Sequence, residues 1–233
     1  MTKLSRSKLE LFFECPRCFW LYVGKNISRP STAPYTINNA IDQLLKKEFD
    51  THRAQGTAHY LIQQAGLDAI PYTSQHLDAW RHNFTGIQYR DLKRNFLIFG
   101  AVDDIWINSQ GELIVVDYKA SGNPAGELYP SYKRQLEIYQ WLLRQNGYKV
   151  HSRGYFVYCR VDHTKGFAHG QLAFDIQLES YDGDDSWLPI ILDQARKVLD
   201  SEIPVPAENC SYCKYLAQVR PHEPPPVQPG LFE

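Results

Sequence analysis

The sequence predicts an α/β (α+β) fold in which helices flank a mixed central sheet. Apolar residues recur with a helical period before residue 55, and from Gly86 onward they follow the alternation of strands. A further helical stretch at residues 132–146 interrupts these strands. The resulting order of helix, three strands, helix and strand is typical of a sheet covered by helices. At 233 residues and 43% hydrophobic composition, the chain can bury a sizeable core.

The N-terminal part of the chain predicts two helices. Ser7 and Glu10 form a capping-box pattern before a helix that we expect to break near Pro16. Thr36 is expected to cap the second helix. The apolar stripe of this second helix, which we expect to be buried, comprises Ile37, Ile41, Leu44, Leu45 and Phe49. Residues 51–80 contain short apolar pieces between Gly and Pro and predict helix or loop.

Strands dominate the middle of the chain. The second and third predicted strands are joined by a short hairpin turn at residues 109–111. A helix over residues 132–143 is expected to end at Asn146-Gly147, and another helix is predicted at residues 186–199. The predicted strands comprise residues 86–95, 96–108, 112–120, 153–160 and 171–179.

Charge and hydropathy limit the class of protein. The formal net charge is −1, but residues 1–30 and 131–160 are basic whereas residues 175–202 are acidic. Such a chain either holds a phosphate backbone on a basic face or has solvated faces of mixed sign. The sequence contains no apolar run of membrane-spanning length and no signal-type segment after its polar N-terminus. We therefore expect a cytoplasmic protein without membrane contact.

The cysteines predict a metal site. Cys15 and Cys18 are three residues apart, as are Cys210 and Cys213 at the other end of the chain. In a reducing compartment such pairs are typical of metal ligands, and a shared site would join the N-terminal helix to the C-terminal segment. Four thiolates can hold Zn²⁺ or a [4Fe-4S] cluster, and the spacing does not distinguish them. The remaining cysteine, Cys159, is expected to be a buried core thiol.

Polar residues at the end of the strand 112–120 predict a second site. Asp117 and Lys119 share one face of this strand, because side chains alternate along it. Asp103 is expected beside Asp117, with Asp104 as the alternative because the register is open. Two adjacent carboxylates favour a hard cation such as Mg²⁺ or Mn²⁺ between them. The other interpretation of Asp117 and Lys119 is a structural salt bridge.

Three motifs in a fixed order extend this interpretation. The segments are Gly100–Asp103 (GxxD), Val116–Lys119 (DxK) and Gln135–Tyr139 (QxxxY). With the Cys-Pro segment at Cys15, they resemble the RecB-like branch of the PD-(D/E)XK nuclease superfamily, which includes CRISPR adaptation exonucleases and AddB-type repair nucleases. The resemblance implies a restriction-endonuclease-like core at about residues 35–180.

The resemblance also implies domain limits. We expect a single nuclease domain over residues 1–219, with cysteine-bearing segments at 10–22 and 205–216, followed by a Pro-rich tail at 220–233. In that tail, a Gln-x-x-Leu-Phe peptide resembles those that dock on the bacterial sliding clamp. Its matching residues are Gln228, Leu231 and Phe232.

By this resemblance, the site residues have defined roles. Asp103 and Asp117 are expected to be metal ligands, with the Tyr118 carbonyl as a third, and Lys119 is the expected catalytic lysine. Gln135 and Tyr139, four residues apart on one helical face, are expected to contact DNA or support the lysine.

The sequence departs from the family at Asp42, which stands where the branch often carries a metal-binding His. Asp42 is either a substitute ligand that favours Mg²⁺ over Mn²⁺ or a lost position.

The implied function is a metal-dependent deoxyribonuclease that hydrolyses phosphodiester bonds in single-stranded DNA or at DNA ends. An exonuclease is favoured over an endonuclease, and repair, recombination and defence are the implied processes. The resemblance favours the [4Fe-4S] cluster over Zn²⁺ for Cys15, Cys18, Cys210 and Cys213. The alternative is a nucleic-acid-binding protein of the same fold with weak or lost catalysis, which the missing His permits.

Overall fold

The computed structural model describes residues 1–31, 33, 36–122 and 128–223. The chain divides into two compact units. The larger unit comprises Met1–Arg6 and Thr32–Asp193, and the smaller, which we call the cysteine unit, comprises Ser7–Ser31 and Gln194–Glu233. Most of the predicted Pro-rich tail lies outside the described residues, including Gln228, Leu231 and Phe232.

The larger unit contains two sheets. One has the strand order β1-β4-β3, with β1 parallel to β4 and β3 antiparallel to it. The other has the order β2-β5-β6-β7-β8, in which only the β6–β7 pair is parallel. The strands are β1 Thr2–Ser5, β2 Ile70–Pro71, β3 Ile87–Asp91, β4 Phe96–Gly100, β5 Asp104–Ile107, β6 Leu113–Ser121, β7 Arg153–Val161 and β8 Phe174–Asp182.

Helices complete both units. Helix α3 contacts β6 and β2, whereas α6 contacts β3, β4 and β6, so the predicted mixed sheet flanked by helices is confirmed. Among the described residues, no helix combines the length and apolarity needed to cross a membrane. The α-helices are α1 Arg6–Glu14, α2 Pro16–Phe19, α3 Thr36–Gln55, α4 Tyr60–Gln64, α5 Leu77–Arg81, α6 Pro130–Gln145, α7 Leu188–Leu199 and α8 Ser211–Val219.

The two faces of strand β6 have different surroundings. Its residues Ile114, Val116 and Tyr118 belong to one apolar cluster with Leu45 and Phe49 of α3. The alternate residues of the strand point to the opposite face, because successive side chains in a strand alternate. Burying one face among apolar side chains therefore fixes the direction of the polar residues on the other face.

The structure corrects several details of the sequence-based prediction. Residues 96–108 form two strands, β4 and β5, in different sheets, rather than one. Strand β1 was not predicted, because it is short and largely polar. In α3, Ile37 and Leu44 are 63% and 66% exposed, so the buried stripe is narrower than expected. The predicted break between α1 and α2 at Pro16 is confirmed, since the pyrrolidine ring cannot continue the preceding helix.

Candidate active site

A cleft in the larger unit is lined mainly by polar and charged side chains. Its volume is about 600 Å³. The lining side chains come from the first residue of α1, from α3, from the last residue of α5, from the end of β6 and from the N-terminal part of α6, together with the segments after α5 and before β5. The charged ones are Arg6, Asp42, Lys46, Arg81, Asp103 and Lys119. Several of the site residues predicted from the sequence therefore line one cleft, among them Asp42, Asp103, Lys119 and Gln135.

Gln135 connects three of the predicted site residues. Its amide nitrogen donates to Asp117 Oδ1 at 2.7 Å and to Tyr139 Oη at 3.1 Å. Its amide oxygen accepts from Lys119 Nζ at 3.3 Å. Because the side chain uses both ends of its amide in this way, it orients the carboxylate and the ammonium relative to each other.

Asp117 is fully buried beneath the cleft. Burial raises its pKa to about 7, which the ammonium of Lys119 opposes and the carboxylate of Asp103 reinforces. Lys119 forms an ion pair with Asp117 Oδ2, and Gln135 donates to the other carboxylate oxygen. A buried carboxylate requires positive charge beside it, which an ammonium or a bound cation can supply.

Asp103 and Asp42 form the opposite side of the same cleft. Asp103 Oδ2 accepts from the backbone N–H of Tyr118 at 2.9 Å. Lys46 Nζ lies 2.7 Å from Asp42 Oδ2 and 3.5 Å from Asp103 Oδ1, so one ammonium bridges both carboxylates. Burial and the nearby Asp103 raise the pKa of Asp42, although Lys46 opposes this shift. Lys46 was not predicted from the sequence; its place one helical turn after Asp42 is the only signal.

Asp104 belongs to a different cluster. It is fully buried and accepts hydrogen bonds from Arg53, from Arg81 Nη2 at 3.0 Å and from Tyr118 Oη at 2.8 Å. The pairing of Asp104 with Val116 across β5 and β6 directs it to the α3 face of the sheet. Of the two candidates for the carboxylate in the cleft, the structure therefore places Asp103 there and not Asp104.

Replacement of Asp104 by asparagine is expected to destabilise the larger unit by about 3 kcal/mol, because the guanidinium groups of Arg53 and Arg81 lose their buried carboxylate partner and keep only Asp50. The control is Asp50→Asn. Asp50 pairs with the same Arg53 and Arg81, but its side chain is 45% exposed whereas that of Asp104 is fully buried, so its loss should cost under about 1 kcal/mol. Urea unfolding followed by circular dichroism measures both values. Equal stability of the two variants would contradict the structural role of Asp104.

The donor set of the cleft fits a divalent cation. Asp103, Asp117 and Asp42 offer hard carboxylate oxygens, which are the ligands that Mg²⁺ and Mn²⁺ prefer. The ammonium groups of Lys46 and Lys119 lie beside these carboxylates, as expected where clustered negative charge needs a cation. Among the described residues, no softer ligand such as His, Cys or Met lines the cleft.

Gly100 explains how the GxxD and QxxxY segments meet. A Cβ atom added at Gly100 would lie 2.5 Å from Cε1 of the Tyr139 ring. Only glycine therefore allows α6 to approach the end of β4 this closely. The approach brings Tyr139, which is 3% exposed, and Gln135 one turn earlier against the sheet.

The four cysteines predicted to share a site lie together in the cysteine unit. The Sγ atom of Cys18 is 3.6 Å from those of both Cys210 and Cys213, and Cys15 Sγ is 4.0 Å from Cys213 Sγ. All four sulfur atoms lie within 4.8 Å of one another. Thiolates bound at about 2.3 Å to one tetrahedral ion would be about 3.8 Å apart. The four thiols can therefore hold a metal and join the two ends of this unit.

Their protonation supports the same conclusion. Burial opposes ionisation of Cys210, but hydrogen bonds from the Cys213 backbone and from the neighbouring thiols outweigh it and lower the pKa of Cys210 to about 7. Burial and the neighbouring thiols raise the pKa of Cys213. Cys210 is therefore the thiol that ionises readily, whereas Cys213 keeps its proton until a metal neutralises the added charge.

Arg29 is a residue near the cysteines that sequence reasoning missed. Its Nη2 lies 3.5 Å from Cys210 Sγ, and its Nη1 pairs with Glu14. The guanidinium also stacks on the ring of Tyr212, with 4.6 Å from Cζ to the ring centroid. A cation held in this position reduces the negative charge of the thiolates. Its distance of eleven residues from Cys18 gives no motif by which it could have been found.

Of the comparisons with known proteins, the family profile is the one that identifies this chain. No curated protein is significantly similar to the chain. Among solved structures, the one titled "Crystal structure of SSO0001" matches with 16% sequence identity and a TM-score of 0.44, covering 87% of this chain and 78% of that one. The profile described as PD-(D/E)XK nuclease superfamily matches residues 26–218, which include every residue lining the cleft except Arg6. Of the four clustered cysteines, the match includes Cys210 and Cys213 but not Cys15 and Cys18.

That match extends over most of the sequence, through every element that contributes to the cleft except the segment carrying Arg6. A match of this length identifies the family independently of any single motif. The chain belongs to the PD-(D/E)XK nuclease superfamily.

Proposed function

We propose that the protein is a metal-dependent deoxyribonuclease of the RecB-like branch that hydrolyses phosphodiester bonds in single-stranded DNA or at DNA ends, as an exonuclease. The observation that carries this proposal is the hydrogen-bonded group of Asp117, Gln135 and Lys119 beside Asp103 in one cleft. A buried carboxylate with an ammonium that Gln135 holds beside it is suited to a reaction in which negative charge develops.

In this proposal, Asp103 and Asp117 hold Mg²⁺ or Mn²⁺, with the Tyr118 carbonyl and Asp42 as further ligands. When bound, the ion supplies Lewis acidity at a phosphodiester oxygen and lowers the pKa of water. Lys119 orients the attacking water and neutralises the charge that develops on the phosphorus oxygens. Gln135 keeps Lys119 and Asp117 in place, and Tyr139 supports Gln135.

The test uses end-labelled single- and double-stranded oligonucleotides with Mg²⁺, Mn²⁺ or a chelator. The wild type is expected to release mononucleotides or short products only with a divalent ion. Asp103→Asn keeps the acceptor for the Tyr118 N–H but loses a charge, so metal affinity and cleavage should each fall at least ~10-fold. The control Asp50→Asn should cleave at the wild-type rate. Cleavage that is unaffected by Asp103→Asn would contradict the assigned ligand.

One observation supports the second candidate, a nucleic-acid-binding protein with little catalysis. Lys46 bridges Asp42 and Asp103, so a side-chain cation already neutralises two of the carboxylates. In this candidate the family His has been replaced by Asp42 together with Lys46, and the cleft binds DNA without cutting it. DNA binding by the wild type without metal-dependent cleavage would favour this candidate over the nuclease.

The metal of the cysteine unit is also a proposal. The family resemblance supports a [4Fe-4S] cluster, in which each thiolate bonds a different iron and the sulfurs are spread apart. The separations of 3.6–4.0 Å support a single Zn²⁺ instead. Metal analysis with a visible spectrum of anaerobically purified protein distinguishes the two. Docking on the sliding clamp through Gln228, Leu231 and Phe232 is a further proposal and concerns residues outside those described.

A further inference from the structure

The cations of the cleft differ in whether they already have a partner. Lys46 pairs with Asp42 and Asp103, and Lys119 pairs with Asp117. Arg81 also has carboxylate partners, Asp50 and Asp104. By contrast, Arg6 makes no ion pair and no hydrogen bond in the part of the chain that the structure describes, although it lines the same cleft.

The fold holds Arg6 close to Gly100 and Tyr139 of the candidate active site. Ser5 pairs with Phe99 in the parallel register of β1 and β4, so Arg6 follows beside Gly100. A Cβ atom added at Gly100 would lie 3.6 Å from the Arg6 Cβ and 2.5 Å from the Tyr139 ring. Arg6 is half-buried and lines the cleft together with Asp103 and Lys119. Its positive charge is therefore close to the candidate catalytic residues and is not neutralised by an ion pair with a described residue.

We propose that Arg6 is the phosphate-binding residue of the cleft and holds the phosphodiester group of a DNA strand beside Asp103 and Lys119. A guanidinium presents several N–H donors in a planar fork that matches two phosphate oxygens. A cation without a protein partner can offer this fork to a ligand at no cost in broken ion pairs. Arg6 forms no covalent bond in this role and positions the substrate.

This inference rests on the proposed function only in naming DNA as the ligand, and its test separates the two. Binding of a fluorescein-labelled oligonucleotide of 15 to 20 nucleotides, in Ca²⁺ and over a series of salt concentrations, is measured by anisotropy for full-length wild type, Arg6→Ala and Arg6→Lys. Arg6→Ala should weaken binding about 10-fold and reduce the slope of log Kd against log salt by about 1. Arg6→Lys keeps the charge and should restore the slope but only part of the affinity.

The matched control is Lys3→Ala, which removes an exposed cation from the same N-terminal segment and should change neither quantity. Thermal unfolding of each variant identifies any loss of folding, and Arg6→Gln replaces Arg6→Ala if the latter is unstable. In cleavage assays Arg6→Ala should raise KM about 10-fold with little change in kcat, because the contact is already made in the ground state.

Equal affinity of wild type and Arg6→Ala, with the same salt slope, would overturn the role of Arg6 even if the wild type cleaves DNA. Loss of affinity in Arg6→Ala with no cleavage by the wild type would support the role of Arg6 and reject the nuclease proposal. Equal weakening by Lys3→Ala and Arg6→Ala would show a general effect of positive charge and would also overturn the proposal.

Discussion

Replacement of Lys119 by alanine is expected to lower the single-turnover rate of DNA cleavage by about 10²- to 10³-fold, because in the proposed reaction the ammonium stabilises charge that develops only in the transition state. Gln135 loses one hydrogen bond and Asp117 loses its ion pair, but both remain buried and bonded to each other. The measurement uses saturating enzyme and end-labelled single-stranded DNA in Mg²⁺, with affinity determined separately by anisotropy. Affinity should fall far less than the rate.

The control for this variant is Lys133→Ala. Lys133 also lies over a tyrosine ring, at 5.4 Å from the centroid of Tyr181, compared with 4.4 Å between Lys119 and the ring of Tyr132. It does not line the cleft, so its removal should leave the cleavage rate unchanged. A Lys119→Ala variant that cleaves as fast as the wild type would contradict the catalytic assignment, whatever the outcome for Lys133→Ala.

Replacement of Cys18 by serine is expected to abolish tight metal binding and to destabilise the cysteine unit by about 5 kcal/mol. The reason is that the metal then no longer closes the long loop between the N-terminal and C-terminal cysteine pairs. Cys18 has the shortest contacts of the four, at 3.6 Å to both C-terminal cysteines, which are 192 and 195 residues away. Chemical unfolding with and without a chelator measures the effect. The chelator should destabilise the wild type and leave Cys18→Ser unchanged.

Cys159→Ala serves as the control, because Cys159 is buried in the apolar core of the larger unit and lies apart from the four clustered thiols. This variant should keep the metal content of the wild type and lose no more than about 1 kcal/mol. Retention of stoichiometric metal by Cys18→Ser would show that three thiols suffice and would contradict the four-ligand site.

Part of the site was predictable because successive side chains of β6 point to opposite faces of the sheet. Once Val116 and Tyr118 are assigned to the core, Asp117 and Lys119 must share the other face, and the structure has α6 covering that face with Gln135. The association of the four cysteines was equally accessible, because their paired spacing is independent of how the chain between them folds.

Other features depend on tertiary structure and could not be predicted. The choice between Asp103 and Asp104 depends on the three residues that separate β4 from β5, where a shift of one residue reverses the face of the sheet. The exposure of Ile37 and Leu44 depends on what covers α3, which the helical period does not specify. The pairing of Lys46 with two carboxylates and the position of Arg6 beside Gly100 likewise arise from contacts between distant segments.

The separation of the two cysteine pairs has a consequence for synthesis of the protein. Cys18 leaves the ribosome 192 residues before Cys210. At typical elongation rates of about 5–20 residues per second, this interval is about 10–40 s. During that time, the first two thiols have no partners with which to complete a metal site. A metal held by all four thiols can therefore be loaded only after Cys213 has been translated, and a chain that stops before Cys210 has only Cys15 and Cys18 of this set.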